Sequence, residues 1–171
     1  MKWLVIVPAA LVALALLVLV AGLLVPKSHE ARVTVRLGKS PAEVWAVITD
    51  FPRQPAWNKD ITAVVSLPDR DGKAVWLETL GGNFNATVVN LVVEPPTRLV
   101  REILPSGPFY GSWTWELAPD GGGTRLSITE RGTVDNPFFR GMMVFRSQTK
   151  TARDYAAALG RRLGTTVETL P

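Results

Sequence analysis

The sequence predicts an α+β protein: one N-terminal transmembrane helix, then a curved antiparallel β-sheet wrapped around a long C-terminal α-helix. Three observations predict it. Residues 3–25 carry no charge. Six strand-patterned segments then follow one another through hairpin-length links, which gives an antiparallel meander rather than parallel βαβ units. Finally, apolar or small residues recur at alternating spacings of four and three from Phe138 to Leu163, the stripe of a helix with one buried face.

The 23 residues of the apolar run make roughly 34 Å of helix, enough for a hydrocarbon core of about 30 Å. Pro8 lies near one end, where a helix in lipid tolerates it. Lys2 and Trp3 stand at one border and Pro26-Lys27 at the other, as interfacial anchors do. The rival is a cleaved signal peptide, whose apolar core runs roughly 7–15 residues to a small-x-small site. Here the run is longer, and its best site, Leu19-Val20-Ala21, begins with leucine. Residues 1–27 are therefore read as a retained single-pass membrane anchor and residues 28–171 as one domain. Lys27, Arg32 and Arg36 outnumber Lys2 plus the amino terminus, which favours a cytoplasmic domain. A single lysine before an apolar run also begins many exported domains, so both sides stay open.

Ala31–Leu37 alternates strictly, with Val33, Val35 and Leu37 on one face, as a half-buried strand does. Ser40-Pro41-Ala42-Glu43 is a capping box with proline at the first helical position. The short helix it opens stops near Asp50, because Pro52 cannot continue it. Phe51 to Trp57 is a compact turn with an aromatic at each end. Ile61–Leu67 places Ile61, Ala63, Val65 and Leu67 on one face, and Asp71-Gly72 turns tightly into Lys73–Leu80. Gly81-Gly82 leads into Phe84–Val93, which Pro95-Pro96 ends. Arg98–Leu104, Phe109–Leu117 and Thr124–Gly132 complete the strands. The last element, capped by Asp135 or Asn136 with Pro137 in its first turn, is read as one helix of about seven turns. Its stripe is Phe138, Met142, Phe145, Thr149, Ala152, Ala156, Leu159 and Leu163.

This order of elements resembles the START-like, or SRPBCC, superfamily with its helix-grip fold. Within it, the likeness is to the polyketide cyclase/dehydrase and lipid-transport-like group. The residues that carry it are Ser40-Pro41-Ala42-Glu43-Val44-Trp45, Asp50-Phe51, Pro55-Ala56-Trp57-Asn58, Trp113-Thr114-Trp115-Glu116-Leu117 and Gly123-Thr124-Arg125-Leu126, with the terminal helix. It spans about residues 30–164. The resemblance implies a cavity between sheet and helix, usually for an apolar ligand, in a superfamily that includes carriers, sensors and ring-closing enzymes.

Composition narrows the chemistry. There is no cysteine, which excludes disulfides, thiolate metal sites and cysteine nucleophiles. The lone His29 follows the apolar segment, so a serine–histidine triad or multi-histidine metal site is not expected in the domain. No residue set calls for a metal or cofactor. Residues 28–135 are slightly acidic, whereas 136–164 hold six Arg and Lys against Asp154 alone. That is a solvated helix face or a docking face for an anionic membrane or acidic partner. No nucleic-acid motif accompanies it.

The strand patterns put Phe109, Trp113, Trp115 and Leu117 on one face and Tyr110, Ser112, Thr114 and Glu116 on the other. Asn90, Arg101 and Glu130 interrupt apolar faces: either each lies near a strand end and reaches water, or they pair with one another or a ligand's polar end, and Arg101 with Glu130 could form an interior ion pair. Glu78, Glu94, Glu102 and Glu116 fall at positions that read as exposed. The cavity lining is expected from Phe84, Asn90, Arg101, Phe109, Tyr110, Trp113, Trp115 and Glu130, with Met142 and Phe145 at the mouth. The expected function is membrane-anchored binding of a lipid-like or other hydrophobic small molecule. The alternatives are a cyclase/dehydrase-type enzyme orienting its substrate with Arg101, Tyr110 or Glu130, and an interaction module using the basic helix.

Overall fold

A computed structural model describes residues 3–105, 107, 109–143 and 147–171. Helix α1 (Trp3–Leu24) leaves its side chains exposed from Ile6 to Leu17, and only its last turns are covered by the rest of the chain. It is long and apolar enough to cross a membrane. Strand β1 (Ser28–Leu37) follows directly, then α2 (Pro41–Ile48) and a 3₁₀ helix (Phe51–Ala56). The capping box forms as expected: Ser40 Oγ accepts from Glu43 N, and Ser40 N donates to the Glu43 carboxylate at 2.9 Å.

The meander is β2 (Ile61–Arg70), β3 (Lys73–Leu80), β4 (Phe84–Glu94), β5 (Arg98–Ile103), β6 (Tyr110–Asp120) and β7 (Gly123–Thr133). Asp71 and Gly72, at φ 51° and 72°, supply the two left-handed residues of the first hairpin. Every pairing in the sheet is antiparallel, in the order β2-β3-β4-β5-β6-β7-β1-β8. The sheet curves around α4 (Lys150–Leu163). The core joins Val33, Val35 and Leu37 to Val44, Ile48, Trp115, Leu117, Leu126 and Ile128, and to Ala152, Ala156 and Leu159 of α4. Ala152 and Ala156 allow that close approach, and Gly164, left-handed at φ 65°, ends the helix.

Three sequence expectations are corrected. The terminal helix is two: α3 (Pro137–Met143) and α4, separated by a turn at Ser147–Thr149. The apolar stripe is real but belongs to two surfaces. Its second half packs in the sheet, while α3 lies along α1. Asn136 is the cap, its Oδ1 accepting from the amides of Phe138 and Phe139. In β2 a bulge between Ile61 and Ala63 shifts the alternation, so Val64 meets the core and Val65 is 54% exposed. An eighth strand, β8 (Val167–Leu170), pairs with Thr34–Leu37 of β1. It is short and carries no turn signal of its own beyond Gly164.

Candidate ligand-binding site

Strand register aligns one row across the concave face: Asn90 on β4 opposite Arg101 on β5, Arg101 opposite Trp113 on β6, and Trp113 opposite Glu130 on β7. Trp113 therefore stands between Arg101 and Glu130, two strand spacings or about 10 Å apart. The Arg101–Glu130 pair does not form. Arg101 turns the other way: its Nη1 lies 2.7 Å from Glu78 Oε1, and its Nε donates to Asn90 Oδ1 at 2.9 Å. Its guanidinium sits 4.0 Å from the centre of the Phe51 ring, a cation–π contact. The Arg101 and Glu78 side chains are 5% and 6% exposed. Glu78 thus corrects the sequence reading, which set it on an exposed face.

Aromatic rings enclose this ion pair. Phe51 packs on Trp76 at 5.2 Å between centroids, and Tyr155 of α4 packs on Trp57, Trp113 and Trp115 at 5.4, 6.2 and 5.7 Å. Tyr155, Trp76, Trp57 and Phe51 were not legible as site residues. Tyr155 lies beside the alanine stripe rather than on it, and the other three come from segments read as turn or strand. Two buried donors here, Arg101 Nη2 and Trp76 Nε1, have no partner among the described residues, while Trp115 Nε1 and Tyr155 Oη interact with each other short of good hydrogen-bonding geometry. Burial pushes the Tyr155 phenol well up from its usual range, so it acts as a neutral hydrogen-bonding group.

The other expected lining residues divide. Phe84 and Phe109 meet with tilted rings, 4.9 Å between centroids, at the end of the sheet where β1 begins. Glu130 is 3.7 Å from the imidazole of His29, and burial raises its carboxyl against the partial opposition of that imidazole. Tyr110 pairs with Thr133 on the opposite face from Trp113, beside Asp135, and does not enter the row. Met142 is 50% exposed on α3 and lines nothing inside the sheet, because α3 follows α1. Phe145 lies outside the described residues.

A model of the family described as polyketide cyclase / dehydrase and lipid transport matches residues 28–168. No curated protein matches the sequence. Among solved structures, the chain is similar to the Zhui aromatase/cyclase from Streptomyces sp. R1128, with TM-score 0.67 and 15% identity over 80% of this chain and 94% of that one. It is also similar to a START superfamily protein from Mycobacterium smegmatis, with TM-score 0.61 and 18% identity over 80% and 97%. A norcoclaurine synthase point mutant from Thalictrum flavum gives TM-score 0.61 and 13% identity over 80% and 94%. At these identities the likeness is one of fold, the START-like curved sheet around a C-terminal helix.

Proposed function

The chain belongs to the polyketide cyclase / dehydrase and lipid transport family, and from that premise we propose that it is a membrane-anchored cup for a hydrophobic small molecule with one neutral polar end. Both halves of the family description imply a hydrophobic small molecule. The observation that carries the finer reading is the pair of unpartnered donors, Arg101 Nη2 and Trp76 Nε1, inside an aromatic enclosure. Each such group costs about 1–3 kcal/mol when left unmade, which an acceptor on a ligand offsets. Glu78 already neutralises Arg101, so a carbonyl or hydroxyl suits the site better than a carboxylate. Apolar lining supplies the rest. About ten methylenes buried give roughly 8 kcal/mol, less several kcal/mol for association.

The same donors would orient a polyketone carbonyl for ring closure. With Glu78 held by Arg101 and Tyr155 neutral, these groups offer orientation rather than strong acid–base chemistry. Support for the anchor comes from the exposed apolar length of α1. The full chain in lipid nanodiscs, titrated with an aromatic ketone and with its carboxylate analogue, tests the reading through tryptophan emission. Saturable quenching that favours the ketone, with the preference lost in Arg101→Met, is expected. Quenching by neither compound refutes it.

A further inference from the structure

Helix α3 packs on α1 rather than on the sheet. The contact is backbone to backbone: a Cβ on Gly22 would run into the carbonyl of Pro137, and one on Gly141 into that of Val18. Pro137 thus lies at the level of Gly22 and Gly141 at the level of Val18, so α3 runs antiparallel to α1 and back along its last turns. Small residues at such crossings are how helices pack within lipid. Arg140 locks the contact from within, its Nε donating to Gly22 O at 2.8 Å and its Nη1 to the carbonyls of Val134 and Asp135. A helix so placed leaves Phe138, Phe139, Met142 and Met143 between 40% and 50% exposed.

We propose that α3 is a second membrane element, inserted into the leaflet beside α1, and that it seats the Phe84–Phe109 end of the cup on the bilayer surface. The proposal rests on α1 being an anchor. The occupant of the exposed α3 face is lipid acyl chain, argued from continuity with the apolar surface of α1. Depth agrees: Val18 is six residues before Leu24, or about 9 Å along the helix, within the roughly 5–10 Å to which interfacial helices sink. Topology agrees as well. β1 begins, β7 ends, β6 begins and β4 begins at this one end. An apolar molecule leaving the leaflet there meets Phe84 and Phe109 before the deeper Arg101 row.

The absence of cysteine makes the test direct. Single-cysteine variants Leu14→Cys, Phe139→Cys, Met142→Cys and, as an aqueous control, Asp71→Cys are nitroxide-labelled in the full chain and reconstituted into phosphatidylcholine vesicles. Collision with molecular oxygen and with a water-soluble nickel chelate is then measured by EPR. The expected result is loss of nickel contact with oxygen contact retained at 14, 139 and 142, and full nickel contact at 71. Lipid contact at 14 with nickel contact at 139 and 142 overturns the α3 proposal and leaves the anchor standing. Loss of both collisions at 139 and 142 means a protein neighbour, such as a second copy, and also overturns it. Nickel contact at 14 sinks the anchor and the proposal with it.

Discussion

Replacing Arg101 by methionine removes the cation from the interior ion pair while keeping much of the side-chain volume. Both partners are more than nine-tenths buried, so no solvent screening softens the loss. Glu78 is left as an uncompensated buried carboxylate, and breaking a pair of this kind costs about 3–5 kcal/mol. For a domain of this size each kcal/mol shifts Tm by about 2–4 °C, so the melt of the variant should fall by roughly 6–20 °C. The double variant Glu78→Leu/Arg101→Met removes both charges and should recover most of that loss. It leaves Asn90 Oδ1 without its donor, which keeps it about 1–3 kcal/mol below the parent. Near-UV circular dichroism of the detergent-solubilised chain follows the melt. A single variant within about 2 °C of the parent, or a double variant as unstable as the two losses added, would refute the buried-pair reasoning.

Burial raises the Glu130 carboxyl in the folded state, so the fold holds that proton more tightly than the unfolded chain does. Its contribution to stability is full below the unfolded pKa and declines as pH rises through the folded one. Glu130→Gln should therefore match the parent in Tm at pH 4 and exceed it at pH 8, while the reverse order contradicts the assignment. Gly141→Leu should drive α3 off α1, which hydrogen exchange would report as lost amide protection in 138–143 with the sheet's protection unchanged. Ser40→Ala removes the helix cap and should lower stability by about 1 kcal/mol, a shift of about 2–4 °C in Tm.

The meander was readable because its turns use residues whose backbone preferences are specific, such as Asp71-Gly72 and Pro95-Pro96, and because strand alternation has a strict period. The capping box was readable because its two hydrogen bonds are local. What escaped was set by distant partners. The stripe from Phe138 to Leu163 has helical spacing throughout, and the packing of α3 on α1 through Gly141 and Arg140 takes its first half away from the sheet. Glu78 lies on a strand with apolar residues on both faces, so alternation could not assign its side; Arg101, two strands away, holds it inside. Arg101 and Glu130 were each legible as polar residues on an apolar face. Their separation by Trp113 depends on register, which no single strand reveals.

The proposed cup takes one hydrophobic small molecule per chain, with the polar end of that molecule at the Arg101 row. Native mass spectrometry of the full chain extracted in detergent tests it most directly, with the detergent stripped by collisional activation. One retained lipid-like or aromatic mass per chain is expected, displaced by added ketone and weakened in Glu78→Leu/Arg101→Met. A chain that emerges with detergent alone, and takes up no added apolar compound, contradicts it.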